Sequence, residues 1–100
     1  MEKLISVIIP SYNDEKILNT IASIKSQSID QNKIEIIVID SKSNYELLKK
    51  IKKTLLDRDC LISEKDKGIF DGINKGIKLA KGKLVFTIGS DDFIENKDLF

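Results

Sequence analysis

Short continuous apolar runs alternate along this chain with segments whose apolar residues recur at helical spacing. The continuous runs are Leu4 to Ile9, Ile34 to Ile39, Cys60 to Ile62 and Leu84 to Ile88. Period-two alternation disappears when both faces of a strand are covered, so these runs predict buried parallel strands. Strands that alternate with helices in this way predict an α/β fold, with a parallel sheet, right-handed crossovers and helices on both faces.

The segments between the runs predict three helices. Their apolar stripes are Ile17, Leu18, Ile21 and Ile24, then Leu47, Leu48, Ile51 and Leu55, then Ile69, Ile73, Ile77 and Ala80. Asn44 is expected to cap the second helix and Gly82 to stop the third. Pro10 is expected to end the first strand, because proline cannot donate to a central ladder. A further helix is expected to begin at Asn96 or Lys97.

The composition excludes several kinds of site. Histidine is absent, so a Ser-His-Asp triad, a Cys-His pair and a His-ligated zinc cannot be built from these residues. Cys60 is the only cysteine, which excludes an internal disulfide and favours a small buried hydrophobe. The net charge of +1 gives no electrostatic basis for binding nucleic acid. No apolar stretch reaches the length of a membrane span and no signal peptide is evident, so a cytoplasmic protein is expected.

Polar side chains follow all four predicted strands, at the sheet edge where open α/β folds bind ligands. They are Ser11, Tyr12 and Asn13 after the first strand, Asp40 after the second, Asp66 and Lys67 after the third, and Asp91 and Asp92 after the fourth. Any single one could belong to a capped loop, and the pair Asp91-Asp92 alone could be a solvated loop. Their occurrence together on one edge favours a ligand site.

The motifs present and absent narrow the kind of ligand. The first strand is followed by Pro-Ser-Tyr-Asn rather than Gly-x-Gly-x-x-Gly, and no P-loop motif occurs. A dinucleotide cofactor and a P-loop hydrolase are therefore disfavoured. Two adjacent carboxylates repel each other unless a cation lies between them, and Asp40 could accept hydrogen bonds from a ribose or a base. Together these features point to a nucleoside diphosphate with Mg²⁺ or Mn²⁺.

Four ordered segments make the chain similar to family 2 glycosyltransferases of the GT-A fold. They are SVIIPSYN at 6–13, EIIVID at 35–40, SEKDKGIFDGINKG at 63–76 and GSDD at 89–92, and they span almost the whole sequence. The third segment especially resembles bacterial enzymes that build surface polysaccharides and O-antigens. The resemblance implies a Rossmann-like GT-A fold. Residues 1–100 would be its N-terminal, nucleotide-sugar-binding portion, truncated before the acceptor half.

The resemblance also implies roles for individual residues. Nucleotide-sugar binding is implied for Pro10, Ser11, Tyr12, Asn13, Glu15, Asp40, Asp66, Lys67 and Asp91. Asp40 would contact the base or ribose, and Asp91 and Asp92 would ligate the Mg²⁺ or Mn²⁺ that bridges the diphosphate. Two positions depart from the family pattern: Gly89 replaces the first Asp of the usual metal motif, and Lys42 stands where a small residue is usual.

The implied reaction is an inverting, metal-dependent transfer of a sugar to an acceptor hydroxyl in surface polysaccharide biosynthesis. The donor would be a UDP-sugar, and the acceptor would be a glycan or a lipid-linked glycan bound by the missing half. The catalytic base would lie beyond Phe100, so this chain is expected to bind the donor but to transfer sugar poorly. Peripheral association with the inner face of the membrane and no nucleic-acid partner are expected. The sequence does not indicate an oligomeric state.

Two alternatives stay open. One is a non-catalytic nucleotide-binding or interaction module. The other is a receiver-like phospho-acceptor domain, which is also a small α/β chain with carboxylates at its strand ends. A receiver needs an acidic pair after its first strand, where this chain has Tyr12, Asn13 and Asp14.

Overall fold

In a computed structural model, which describes residues 4–65 and 68–100, the alternation of runs and stripes folds into a four-stranded parallel sheet. The elements are β1 (Ile5–Ser11), α1 (Ile17–Lys25), a 3₁₀ turn (Gln31–Lys33), β2 (Ile34–Asp40), α2 (Tyr45–Thr54), β3 (Cys60–Ser63), α3 (Ile69–Leu79) and β4 (Leu84–Thr87). The strand order across the sheet is β3-β2-β1-β4. β1 therefore lies between β2 and β4. The chain adds β2 and β3 on one side of β1 and β4 on the other, so the strand order reverses between β1 and β4.

Apolar layers cover both faces of β1 and β2, as their continuous runs predict, whereas β3 is half-buried. On one face, Val7 and Ile9 of β1 pack with Ile21 of α1 and Ile51 of α2. The residue between them, Ile8, faces the opposite side and belongs to the smaller cluster under α3. Successive side chains of a strand point to opposite faces, so a strand covered on both sides is apolar throughout. No helix in the described part of the chain is long and apolar enough to cross a bilayer.

Two glycines bring the chain close to β1. A Cβ at Gly76 would lie 2.6 Å from Cγ2 of Ile8, so the backbone of α3 rests directly on the sheet. The expected helix stop at Gly82 is wrong, because α3 already ends at Leu79. Gly82 instead lies in the following turn, where a Cβ would be 2.6 Å from the backbone nitrogen of Ser6.

The expected end of β1 at Pro10 is also wrong, since the strand continues to Ser11 and Pro10 is in register with Ile39 of β2. The carbonyl of Ile8 accepts a hydrogen bond from Ile88, so the polar groups of Ile8, and of Pro10 two residues later, face the β4 side. The pairing of β1 with β4 ends at Ile8. Pro10 therefore lies beyond that ladder, and its missing N–H removes no hydrogen bond.

β4 is parallel to β1, as expected, but it is not buried. Leu84, Val85 and Phe86 are 53%, 43% and 40% exposed, because β4 is an edge strand and pairs only with β1 among the described residues. Residues 88–100 have turns at 90–91 and 97–98 and otherwise no regular secondary structure, so the helix expected to begin at Asn96 or Lys97 is absent from this segment. The segment returns to the sheet edge, where the rings of Phe86 and Phe100 have centroids 5.3 Å apart.

Candidate functional site

A cleft of about 460 Å³ opens at the carboxyl edge of the sheet. Its lining residues come from the ends of β1, β2 and β4 and from the residue before α3: Pro10, Ser11, Tyr12, Asp14, Ser41, Gly68 and Ser90. The cleft thus lies where the strand order reverses between β1 and β4. Open parallel sheets bind ligands at such a point, because the loops of the two adjacent strands diverge to opposite faces. Its volume is that of a small-molecule site.

Ser11 and Tyr12 present different ligand-binding groups in the cleft. Ser11 is only 6% exposed, and its Oγ has no hydrogen-bond partner among the described residues. A buried hydroxyl left without a partner costs about 1–3 kcal/mol, which a ligand that hydrogen-bonds to it would recover. Tyr12 lines the same cleft and is 63% exposed as a residue, so its ring is available to stack on a planar ligand group.

Asp40 lies beneath the cleft rather than in its lining. Its side chain is fully buried, and its carboxylate accepts hydrogen bonds from the Ser43 backbone N–H at 2.7 Å, from the Ser43 hydroxyl, and from the Ser63 hydroxyl at 2.8 Å. The next residue, Ser41, lines the cleft in its place. Direct contact between Asp40 and a nucleotide stays a prediction, and this geometry does not favour it.

Asp14, rather than Glu15, carries the carboxylate of the β1–α1 loop into the cleft. Glu15 forms an exposed ion pair with Lys50 of α2, with 3.0 Å between Oε1 and Nζ. Asp14 Oδ1 accepts from the backbone N–H of Lys16 at 3.0 Å, which holds the loop before α1 in a local turn. Its Oδ2 accepts from the Ser90 hydroxyl at 2.9 Å and so joins the β1 loop to the β4 loop.

Two non-glycine residues near the cleft have left-handed backbone angles. Asn13 has φ of 47° and Lys42 has φ of 61°. Asn visits this region more readily than most residues, whereas a lysine there carries a steric cost. The position at which the family usually has a small residue is thus one that favours glycine. Asn13 itself does not line the cleft, and its N–H donates to Ser43 Oγ at 2.8 Å.

Asp91 and Asp92 are exposed and follow the cleft residue Ser90. A Cβ at Gly89 would lie 3.0 Å from Asp92 Oδ2 and 3.3 Å from Asp91 Oδ1, so both carboxylates turn towards the space that a side chain at Gly89 would fill. Asp92 Oδ2 also accepts from the Gly89 N–H at 2.9 Å. Carboxylate oxygens suit Mg²⁺ and Mn²⁺. Since the described residues contain no metal-holding group of three or more acidic, Cys or His side chains, a cation here would also need oxygens from its ligand.

Two hydroxyls of α1, which no sequence motif singled out, hold the segment after β4 that carries Asp91 and Asp92, here called the acidic loop. Thr20 is fully buried, and its Oγ1 lies within hydrogen-bonding reach of the carbonyl oxygens of Ser90, at 2.8 Å, and of Asp92. Ser23 Oγ accepts from the N–H of Ile94 at 3.1 Å. The sequence does contain a signal that could have identified Thr20 and Ser23: both polar residues lie on the face of α1 that also carries the apolar stripe.

The remaining predicted residues do not add to the described cleft. Asp66 and Lys67 lie outside the described residues, so their proposed contacts with a nucleotide sugar stay predictions. Cys60 does not line the cleft. Burial raises the pKa of its thiol, the Glu35 carboxylate raises it further, and Lys81 opposes the shift. The neutral thiol is therefore favoured, in agreement with a packing role.

Comparison with known sequences gives matches along nearly the whole chain. Residues 6–99 match the profile of glycosyl transferase family 2. The poly(ribitol-phosphate) β-N-acetylglucosaminyltransferase TarP of Staphylococcus aureus is 35% identical, over 97% of this chain and 31% of TarP. The UDP-Glc:α-D-GlcNAc-diphosphoundecaprenol β-1,3-glucosyltransferase WfaP of Escherichia coli is 33% identical, over 91% of this chain and 36% of WfaP. The chain thus spans about a third of the length of these relatives.

Solved structures show the same architecture. A crystal structure of S. aureus TarS with UDP-GlcNAc has a TM-score of 0.83 at 30% identity, and the match covers 94% of this chain and 28% of that one. The mannosyltransferase PcManGT of Pyrobaculum calidifontis, solved with GDP-Man and Mn²⁺, has a TM-score of 0.84 at 21% identity, covering 97% of this chain and 30% of that one. The second likeness concerns the fold alone. The expected GT-A architecture is confirmed.

Proposed function

Because the chain belongs to glycosyl transferase family 2, we propose that its cleft binds the nucleotide-diphosphate-sugar donor of a sugar-transfer reaction. The observation that carries the proposal is the cleft at the β1/β4 reversal, which is lined by Ser11, whose hydroxyl has no partner among the described residues, and by the exposed Tyr12. The family match runs from 6 to 99 and does not support the receiver-domain alternative. UDP is the favoured nucleotide, since TarS, which is 30% identical to this chain, was solved with UDP-GlcNAc.

The donor is proposed to lie across the ends of β1 and β4. The ring of Tyr12 would stack on the base, and the Ser11 hydroxyl would hydrogen-bond to a polar group of the nucleotide. The base and the ribose would then lie by β1, and the diphosphate would point towards Ser90 and the acidic loop. This placement keeps the negatively charged diphosphate beside Asp91 and Asp92, whose carboxylates could hold it through a cation.

Asp91 and Asp92 are proposed to hold Mg²⁺ or Mn²⁺ together with the diphosphate oxygens. The two residues fit such an ion because their oxygens are hard donors and turn towards the same space at Gly89. Mg²⁺ commonly binds through one or two carboxylates plus substrate phosphates, so the small protein ligand set is ordinary for this chemistry. When bound, the cation would offset the negative charge that develops on the leaving diphosphate.

The complete reaction is proposed to be an inverting transfer. The acceptor hydroxyl oxygen forms a bond to the anomeric carbon, and the bond from that carbon to the diphosphate oxygen breaks, with its electron pair leaving on the diphosphate. A carboxylate base takes the hydroxyl proton. That base and the acceptor site are not assigned to residues of this chain. A surface glycan or lipid-linked glycan is the proposed acceptor; WfaP is named for a GlcNAc linked to diphosphoundecaprenol, and TarP for a poly(ribitol-phosphate).

Titration calorimetry of UDP with and without Mn²⁺ tests the proposal. The wild type is expected to bind UDP about tenfold more tightly with Mn²⁺, a gain of about 1.4 kcal/mol. Asp92→Asn keeps an oxygen that can accept from the Gly89 N–H but removes the charge, so it should lose most of the Mn²⁺ effect. Asp57→Asn changes an exposed carboxylate in the turn after α2 and should behave as the wild type.

The outcomes separate the parts of the proposal. A wild type that does not bind UDP under either condition would overturn the donor site. Binding of equal strength with and without Mn²⁺ in every variant would leave the donor site standing and refute the cation site.

A further inference from the structure

A chain of hydrogen bonds runs beneath the cleft from the end of β2 to the loop after β1. The Asp40 carboxylate accepts from the Ser43 hydroxyl, which commits the single hydroxyl proton of Ser43 to Asp40. The Ser43 oxygen is then oriented to accept, and the backbone N–H of Asn13 donates to it at 2.8 Å. The buried carboxylate thus orients the Ser43 hydroxyl so that its oxygen is free to accept from the Asn13 N–H.

Asn13 occupies a conformation that needs such support. Its φ of 47° lies in the left-handed region, which most residues with a Cβ avoid and which Asn adopts more readily because its short polar side chain can hydrogen-bond locally. Its side chain is tied to the same segment as its backbone, because Asn13 Oδ1 accepts from the N–H of Asn44 at 2.8 Å. Tyr12 directly precedes this turn and exposes its ring in the cleft. The direction in which the Tyr12 ring leaves the backbone therefore depends on how Asn13 is held.

We propose that Asp40 and Ser43 are positioning residues for nucleotide binding: they hold the Tyr12–Asn13 turn in the shape that binds the base. This inference rests on the proposed donor site. It gives Asp40 a role through Ser43 and Asn13 rather than through contact with the nucleotide, in agreement with its complete burial. If the turn is bound less firmly, the fraction of molecules in the binding shape falls, and the apparent affinity falls by the same factor.

Ser63 provides a matched control within the same network. Its hydroxyl donates to Asp40 Oδ2 at 2.8 Å, so it is a second hydroxyl partner of the carboxylate. It lies at the end of β3, and no hydrogen bond of its side chain reaches the β1 loop among the described residues. Ser43→Ala and Ser63→Ala each remove one hydroxyl from Asp40, but only the first removes the acceptor of the Asn13 N–H.

The experiment measures UDP affinity by calorimetry in the presence of Mn²⁺, together with hydrogen exchange at the Asn13 amide by NMR and the melting temperature. Ser43→Ala is expected to weaken UDP binding about tenfold and to speed exchange at Asn13, whereas Ser63→Ala should change affinity less than about twofold. Ser43→Cys keeps the size of the side chain but offers a poor acceptor, so it should follow Ser43→Ala even if the alanine variant folds badly.

Equal losses of affinity in the Ser43 and Ser63 variants, or unchanged Asn13 exchange in the Ser43 variants, would overturn the inference while the donor site stands. A wild type that does not bind UDP would overturn the donor site and this inference with it. Exchange at Asn13 that responds to the Ser43 variants, together with a selective loss of UDP affinity, is the supporting result.

Discussion

Replacement of Gly76 by alanine tests how closely α3 lies on the sheet. Alanine is about 1 kcal/mol better than glycine in a helix interior, so an open position would gain stability. At Gly76 the new Cβ would lie 2.6 Å from Cγ2 and 3.0 Å from Cγ1 of Ile8, against about 3.5–4.0 Å for a favourable carbon contact. Both of these atoms are bonded directly to Cβ of Ile8, so neither can move aside without changing the rotamer or the backbone.

The steric cost of the new Cβ at position 76 should exceed the gain in stability from the higher helix propensity of alanine. Ile8 is fully buried in the central strand, where excess volume typically costs about 1–3 kcal/mol. An overlap of about 1 Å with the rigid part of a side chain favours the upper half of that range. After the gain of about 1 kcal/mol, a net loss of about 1–2 kcal/mol in the free energy of unfolding remains. For a domain of this size, each kcal/mol lowers Tm by about 4–8 °C.

Thermal unfolding followed by circular dichroism checks this value. Asn74→Ala, at an exposed position of the same helix, is the matched control and should raise the stability by up to about 0.5 kcal/mol. Ile8→Ala removes the three side-chain atoms that a Cβ at Gly76 would meet, so the double variant should be more stable than the sum of the two single losses implies. A Tm for Gly76→Ala equal to or above the wild type would refute the close approach.

Two further predictions concern the acidic loop and the cysteine. Thr20→Val keeps the side-chain shape but removes the hydroxyl within reach of the Ser90 and Asp92 carbonyls, so the Mn²⁺-dependent gain in UDP affinity should fall about threefold or more; an unchanged gain by calorimetry would contradict the anchoring role. Because burial raises the pKa of the Cys60 thiol, its alkylation by iodoacetamide should reach half-maximal rate at a higher pH in the folded protein than in urea. The same midpoint in both states would show that the fold does not perturb this thiol.

The architecture was largely predictable, because it depends on patterns repeated over many residues. Continuous apolar runs correctly predicted four parallel strands, and Asn44 caps α2 as expected, since its Oδ1 accepts from the Leu47 N–H at 2.9 Å. The errors came from single residues judged without their neighbours. Pro10 was expected to end β1 because it cannot donate a hydrogen bond. However, β4, the neighbouring strand that its missing N–H would face, no longer pairs with β1 at Pro10. The continuous apolar run from Leu84 predicted a buried strand, but β4 is exposed in the described part of the chain.

The sequence predicts which edge of the sheet carries the site, but it does not predict which side chains line the cleft at that edge. Parallel strands bring their carboxyl ends to one edge, so polar residues after β1, β2 and β4 were correctly placed near one another. Which carboxylate reaches the cleft was not predictable. Asp14 lines it, whereas Asp40 is buried and Glu15 pairs with Lys50. Each of these outcomes depends on a partner distant in the chain.

The sequence alone therefore determines the strand–helix alternation, the edge that carries the ligand-binding loops and the family to which those loops belong. Such features depend on local periodicity and on motifs that are short and contiguous. The tertiary structure alone decides that Ser43 joins Asp40 to Asn13 and that Thr20 of α1 holds the loop of Asp92. A carboxylate or hydroxyl can either face a ligand or satisfy a buried partner, and its residue type is the same in both cases. Only the positions of groups brought together by folding distinguish the two.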